Sequence, residues 1–201
     1  MREILEQAVN SKNESNLPDL GRPSLGDLTG RCIRNIVNNI CQNDVRYLEI
    51  GLYRGGIFSS ALWDNSIRAV GIDNWSQNWM TDDSRKVFFD RLEETKGNNS
   101  VDIIESDCWV PSLLREKFNV YTFDGPHDWQ DQYDALVKYI DHMDDCFIYI
   151  VDDYDRIKSP KVVDAVQASI KNLNLKVLLE YEFPAGYGFH EGVYMSCLEK
   201  Q

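Results

Sequence analysis

YLEIGLYRGGIFSSAL, residues 47–62, begins as an apolar run, breaks at Gly51, and resumes after Gly55 and Gly56 with the pattern of a helix. A strand that turns through glycines into a helix is the opening unit of an α/β sheet that holds a nucleotide-like ligand. In the dinucleotide fingerprint G-x-G-x-x-G, the second glycine lets the backbone approach a pyrophosphate. Here that position is Tyr53, and Glu49 places a carboxylate beside the turn. Both features favour a cofactor that carries no phosphate and is positively charged. S-adenosylmethionine (SAM), with its sulfonium and amino-acid tail, meets both conditions.

Outward from this turn, strand and helix patterns alternate from residue 45 to about 175. VRYLEIG, IRAVGID, VDIIESD, NVYTFDG and CFIYIVDDY read as strands. They are short apolar runs without strict alternation, as expected of strands buried on both faces. Helices are expected in GGIFSSALWD, SRKVFFDRLEET, PSLLREKF, WQDQYDALVKYIDHM and SPKVVDAVQASIKNL, the last with Ser159 before Pro160 as cap and first position. A further helix is expected over 27–41, where Leu28, Cys32, Ile36 and Ile40 share a face. LKVLLEYEF and GVYMSCLE have no helix between them and read as a terminal antiparallel hairpin. The expected fold is a Rossmann-like, doubly wound, mostly parallel α/β sheet of about seven strands. Residues 1–26, polar and punctuated by Pro18, Gly21, Pro23 and Gly26, read as an N-terminal arm or lid. Residues 27–201 read as one domain.

Composition narrows the function. A formal net charge of −12 over 201 residues disfavours nucleic acids and anionic membrane surfaces, whose phosphates are bound by Lys and Arg. The five cysteines form no C-x-x-C pair, which argues against zinc and a disulfide framework and for a reducing, cytoplasmic setting. The expected partner is a hydroxylated small molecule, with homo-oligomer formation left open.

In open α/β sheets, ligands bind beyond the carboxyl ends of the strands. Each of the first five strands here ends in or near an acid: Glu49, Asp73, Asp107, Asp124, and the pair Asp152 and Asp153. Asp73, about 20 residues past the glycine turn, is placed to accept hydrogen bonds from ribose hydroxyls. Asp107 is placed to meet an adenine amino group or to cap the next helix. Neighbouring strands lie about 5 Å apart, so Asp124, Asp152 and Asp153 converge. Three carboxylates suit a hard divalent cation, Mg²⁺ before Mn²⁺ or Ca²⁺. His127, three residues past Asp124, is a candidate general base. Trp75 and Trp79, four apart, would share a helical face and close over the ligand. His190, in the loop PAGYGFHEG, is a candidate for substrate contact.

L-E-I-G-x-Y-x-G resembles motif I of class I SAM-dependent methyltransferases, in the form seen in catechol O-methyltransferase-like enzymes. D-G-x-H followed by an acid pair resembles the metal-dependent macrocin and mycinamicin O-methyltransferase group, although Pro126 stands where a small residue is more usual. The resemblance covers roughly residues 45–198. It implies cofactor contacts from Glu49, Gly51, Tyr53, Gly55, Asp73, Asp107 and Cys108. It also implies metal ligation by Asp124, Asp152 and Asp153, and His127 as base. Three other readings remain: a nicotinamide oxidoreductase, which Tyr53 opposes; an iron oxygenase, which normally wants two histidines and one carboxylate; and a SAM-binding module without catalysis.

Overall fold

The computed structural model describes residues 1–14, 17, 30–42, 44–77, 83–186 and 192–201. Its helices are α1 (Arg2–Asn10), α2 (Arg31–Ile40), α3 (Gly56–Leu62), α4 (Asp83–Thr95), α5 (Trp129–Tyr139) and α6 (Pro160–Asn172). Its strands are β1 (Arg46–Ile50), β2 (Arg68–Asp73), β3 (Ser100–Glu105), β4 (Phe118–Phe123), β5 (Met143–Asp152), β6 (Lys176–Phe183) and β7 (Val193–Glu199). They form one sheet in the order β3-β2-β1-β4-β5-β7-β6. The first five strands pair in parallel. β7 runs antiparallel to both β5 and β6, so the terminal hairpin completes a Rossmann-like, mostly parallel sheet.

The chain leaves β1 toward β2 and β3, then returns to add β4 and β5 on the other side. β1 and β4 therefore flank the switch point where such sheets bind ligands. Helices cover both faces. On one, Leu5, Ile36, Phe58 and Phe88 pack over Ile148 and Ile150. On the other, Leu136, Tyr139 and Val166 pack over Tyr121 and Tyr149. Burial on both faces explains why the parallel strands read as continuous apolar runs.

Three local expectations need correction. PSLLREKF makes only a 3₁₀ turn at Pro111–Leu113, because Leu114 is already extended on the way into β4 and Leu113 is 47% exposed. The helix expected through Met143 stops at Tyr139, followed by a 3₁₀ turn, and β5 starts at Met143 rather than Cys146. Trp75 is not helical. It has φ +48° in a non-helical segment before α4. Trp79, Leu28 and His190 lie outside the described residues. Of the expected arm, residues 2–10 form α1, which buries Leu5, Ala8 and Val9 on one face. Among the described residues, no helix is long and apolar enough to cross a membrane.

Candidate functional site

The glycine turn is shaped by close approach. At Gly51, φ is +87°, and a Cβ there would lie 1.9 Å from the Asp124 carbonyl oxygen. The Asp124 N–H donates to the Ile50 carbonyl at 2.8 Å, drawing the ends of β1 and β4 together. The turn closes as the Gly55 N–H donates to the Leu52 carbonyl at 2.7 Å, and α3 starts immediately after. Tyr53, within it, has φ +47°. A bulky residue in the left-handed region is strained, and such strain concentrates at functional sites.

Asp73 holds this strain in place. Its Oδ2 accepts the backbone N–H groups of Leu52 and Tyr53 at 2.7 and 2.8 Å, and its Oδ1 accepts that of Trp75 at 2.7 Å. The Trp75 indole N–H then donates to the Tyr53 carbonyl at 2.7 Å. Thus the acid at the end of β2 ties the glycine turn to the segment after its own strand. Carboxylate oxygens accept more than one hydrogen bond each, so these contacts leave room for a ligand hydroxyl.

Several members of this wall were not legible in advance. The Trp75 ring packs against Phe88 and Phe89, and the Arg85 guanidinium lies 4.6 Å from the Phe89 ring centre. Arg85 also forms two hydrogen bonds, 2.7 and 2.8 Å, with Glu105, which pairs with Asp73 across β2 and β3. Buried Arg91 donates to the Arg54 carbonyl at 2.9 Å, bracing the turn from below. The only advance signal was charge on an amphipathic helix, and that ordinarily marks a solvated face.

Glu49 lies beneath the cleft, 1% exposed. The Tyr47 hydroxyl donates to its carboxylate and lies 3.0 Å from Thr122 Oγ1. Burial pushes the Glu49 carboxyl well above its ordinary range. The Tyr47 hydrogen bond opposes this, while Asp124, Asp73 and Asp152 reinforce it. The full negative charge that the sequence reading placed beside the turn is therefore disfavoured. Asp107 stands at the mouth, where its Oδ1 accepts the Trp109 N–H at 3.1 Å and shapes the turn after β3. The Cys108 thiol is pushed up to about 12 by burial and by Asp107, which keeps it protonated.

Asp124 and Asp153, at the ends of β4 and β5, lie beside His127. His127 Nε2 is 3.0 Å from Asp153 Oδ2 and 3.8 Å from Asp124 Oδ1. Burial lowers the affinity of His127 for its proton, but hydrogen bonds and charge from Asp124 and Asp153 outweigh it and raise its pKa to about 10. Burial and the neighbouring acids push Asp152 well up and Asp124 up, with His127 partly offsetting the latter. Asp153, like Tyr53, is a non-glycine residue with positive φ, +55°. Gln132, fully buried and not anticipated, holds the loop by donating from Nε2 to the Pro126 carbonyl at 3.1 Å. Asp128 and Lys161, 2.7 Å apart, join the starts of α5 and α6 beside it.

Three carboxylates are the right donor chemistry for a hard cation. Among the described residues, however, no three His, Cys, Asp or Glu side chains are grouped closely enough to hold a metal ion as they stand. The positive partner in this arrangement is the His127 imidazolium. The cradle for a cofactor is more fully formed, with its backbone ordered by Asp73 and its strained residues already in place. A separate cleft of about 570 Å³, lined by Trp63, Asp64 and Glu94, opens at the amino ends of β1–β3, away from all these groups.

No protein-family model matches the sequence, and no curated protein is significantly similar to it. Solved structures are similar in fold. The SAH-bound methyltransferase PaMTH1 of Podospora anserina superposes with a TM-score of 0.61 at 12% identity, over 100% of this chain and 89% of that one. The O-methyltransferase TomG of Streptomyces achromogenes, in complex with SAM, gives 0.57 at 16% identity, over 99% and 90%. SMU.776, complexed with SAH, gives 0.59 at 10% identity over 84% of this chain, which spans about half of that protein, 48%. At these identities the likeness establishes the fold: the chain has the Rossmann-like architecture of SAM-dependent methyltransferases, with its glycine turn and acid cluster at the carboxyl ends of the central strands.

Proposed function

We propose that this protein is a SAM-dependent O-methyltransferase acting on a hydroxyl of a small molecule such as a sugar, polyol or phenolic. One observation carries the reading: the Asp73-ordered glycine turn and the His127–Asp124–Asp153 cluster converge at the switch point of a methyltransferase-type sheet. SAM and SAH occupy the similar structures named above. Other similar folds include an rRNA methylase from Streptococcus thermophilus, but a net charge of −12 disfavours a nucleic-acid acceptor.

Bound in the cleft, SAM would supply an electrophilic methyl on a sulfonium. The residues of the chain orient and exclude. Asp73 fixes the turn formed by Gly51, Tyr53 and Gly55, while Asp107 and Cys108 border the far side. Glu49 and Tyr47 seal the floor against water. His127, positioned by Gln132 through Pro126, is the group that takes the acceptor proton once the proton held on it by Asp124 and Asp153 has been released. Alignment and preorganised charge provide most of the acceleration in such a transfer. The finer part of the proposal is a divalent cation, Mg²⁺ first, held by Asp124, Asp152 and Asp153. Held there, it would relieve the carboxylates' grip on the His127 proton and acidify the acceptor hydroxyl.

Calorimetric titration with SAH and, separately, with NAD⁺ tests the cofactor. Binding of NAD⁺ without SAH would overturn the reading in favour of an oxidoreductase. Transfer from methyl-labelled SAM onto a panel of catechols, sugars and polyols tests the reaction. Repeating it after EDTA treatment tests the cation, and unchanged turnover removes the metal from the scheme.

A further inference from the structure

Two of the five cysteines, 51 residues apart in sequence, meet in the fold. Cys146 on β5 and Cys197 on β7 have their Sγ atoms 3.6 Å apart. Cys197 pairs with Ile148 across the antiparallel strands, and Cys146 pairs with Glu199. The two cysteines are therefore diagonal neighbours on the same face, the one that α1 covers. Their environments differ. Cys197 is fully buried, whereas Cys146 is partly exposed and forms one wall of a surface groove of about 560 Å³. The other walls are Met1, Arg2, Glu3, Ile4 and Glu6. One sulfur is thus reachable from solvent, and the second waits behind it.

We propose that Cys146 and Cys197 are a redox-responsive dithiol, in which Cys146 reduces a peroxide and Cys197 resolves the product into a reversible disulfide. In the first step the Cys146 thiol gives up its proton, and the thiolate attacks one peroxide oxygen. An S–O bond forms, the O–O bond breaks, and the leaving oxygen takes up the proton the thiol released and departs as water, giving a sulfenic acid. In the second step Cys197 Sγ attacks Cys146 Sγ. The S–S bond forms, the S–O bond breaks, and a second water leaves with the Cys197 proton. Two thiols lose two electrons in total, and the peroxide takes them.

The geometry favours the second step over other fates of the sulfenic acid. The sulfurs must close from 3.6 Å to the ~2.05 Å of a disulfide, a movement of about 1.5 Å shared by the two side chains and their strands. The bond would clamp β7 to β5 near the amino end of β5, whose other end carries Asp152 and Asp153. Because the two sites lie at opposite ends of the strand, the cysteine variants leave the proposed cofactor and acid groups untouched.

The test is intact-mass and peptide-mapping analysis of the full chain exposed to hydrogen peroxide, with free thiols then alkylated. The expected result is loss of two of five alkylatable thiols, a mass lower by two hydrogen atoms, and a Cys146–Cys197 linked peptide that a phosphine reductant removes. In Cys197→Ala, Cys146 should stop at a sulfenic acid trapped by dimedone. In Cys146→Ala, Cys197 should stay alkylatable after unfolding. Both variants are checked for native circular dichroism. If either is misfolded, the wild-type linked peptide decides alone. Five alkylatable thiols after treatment, a link involving Cys32, Cys41 or Cys108, or overoxidation without a link would each overturn the proposal.

Discussion

Asp73 and Tyr53 are joined across the first two strands: the Asp73 carboxylate accepts the Tyr53 backbone N–H at 2.8 Å, and the Trp75 indole returns a hydrogen bond to the Tyr53 carbonyl at 2.7 Å. Tyr53 sits at φ +47°, so these contacts keep a strained residue where it is. Asp73→Asn retains the shape but turns a charged acceptor into a neutral one. Hydrogen bonds to charged groups contribute about 1.5–3 kcal/mol each. The expected outcome is a loss of ~2 kcal/mol in urea unfolding, with SAH affinity falling at least about tenfold, the equivalent of ~1.4 kcal/mol. Unchanged affinity in a folded variant would remove Asp73 from the cofactor wall.

Gly51 and Gly186 offer a paired test of crowding against backbone conformation. Both have positive φ, but an added Cβ meets the Asp124 carbonyl at 1.9 Å at Gly51 and nothing within 4 Å at Gly186. Gly51→Ala should separate β1 from β4 and cost about 3 kcal/mol or more. Gly186→Ala should cost only about 1–2 kcal/mol, the conformational part. Denaturation midpoints of the two variants read the difference directly.

His127→Ala should lower turnover by about a hundredfold or more, the usual contribution of a positioned acid or base. Affinity for SAH should stay within a factor of about two, because the hydrogen bonds that hold the glycine turn come from Asp73, Arg91 and the Asp124 backbone and not from the His127 side chain. A variant that keeps full turnover shows that another group takes the proton.

Stability should fall in alkali. Burial raises the Cys41 thiol well above 9.0 and the Tyr47 and Tyr121 hydroxyls well above 10.0, with Glu49 adding to the first two and neighbouring tyrosines to the third. A group whose folded pKa is raised stabilises fully below its unfolded value, and that contribution is lost as pH rises through the folded one. Thermal midpoints should therefore fall gently from about pH 6.5, as the contribution of the raised His127 imidazolium begins to be lost, and more steeply from about pH 9. Glu49 follows the same sign at lower pH, since its folded value lies above 4.5. Glu49→Gln should gain stability relative to the parent as pH rises above that point.

The residues themselves announce the local conformations. Apolar runs without alternation specify strands buried on both faces. Gly51 and Gly55 mark the turn because few other residues take up its backbone angles, and the strand-end acids mark the rim because strand ends are where these sheets open. Those features depend on neighbours in the chain, and they were sufficient for the fold class.

Partnership was decided only by tertiary structure, because it depends on register between segments far apart in sequence. Asp73 braces Tyr53 from 20 residues away, and Cys146 meets Cys197 from 51. Gly51 must be glycine because of the Asp124 carbonyl, which belongs to another strand. Burial of Glu49 beneath Tyr47, and of Arg91 beneath the turn, follows from layers closing over the sheet. So does the proton that Asp124 and Asp153 hold on His127. Sequence alone determined the strands, the glycine turn and the acids that end the strands, and three-dimensional packing determined what each side chain touches, because charge and reach are set by atoms that local pattern does not encode.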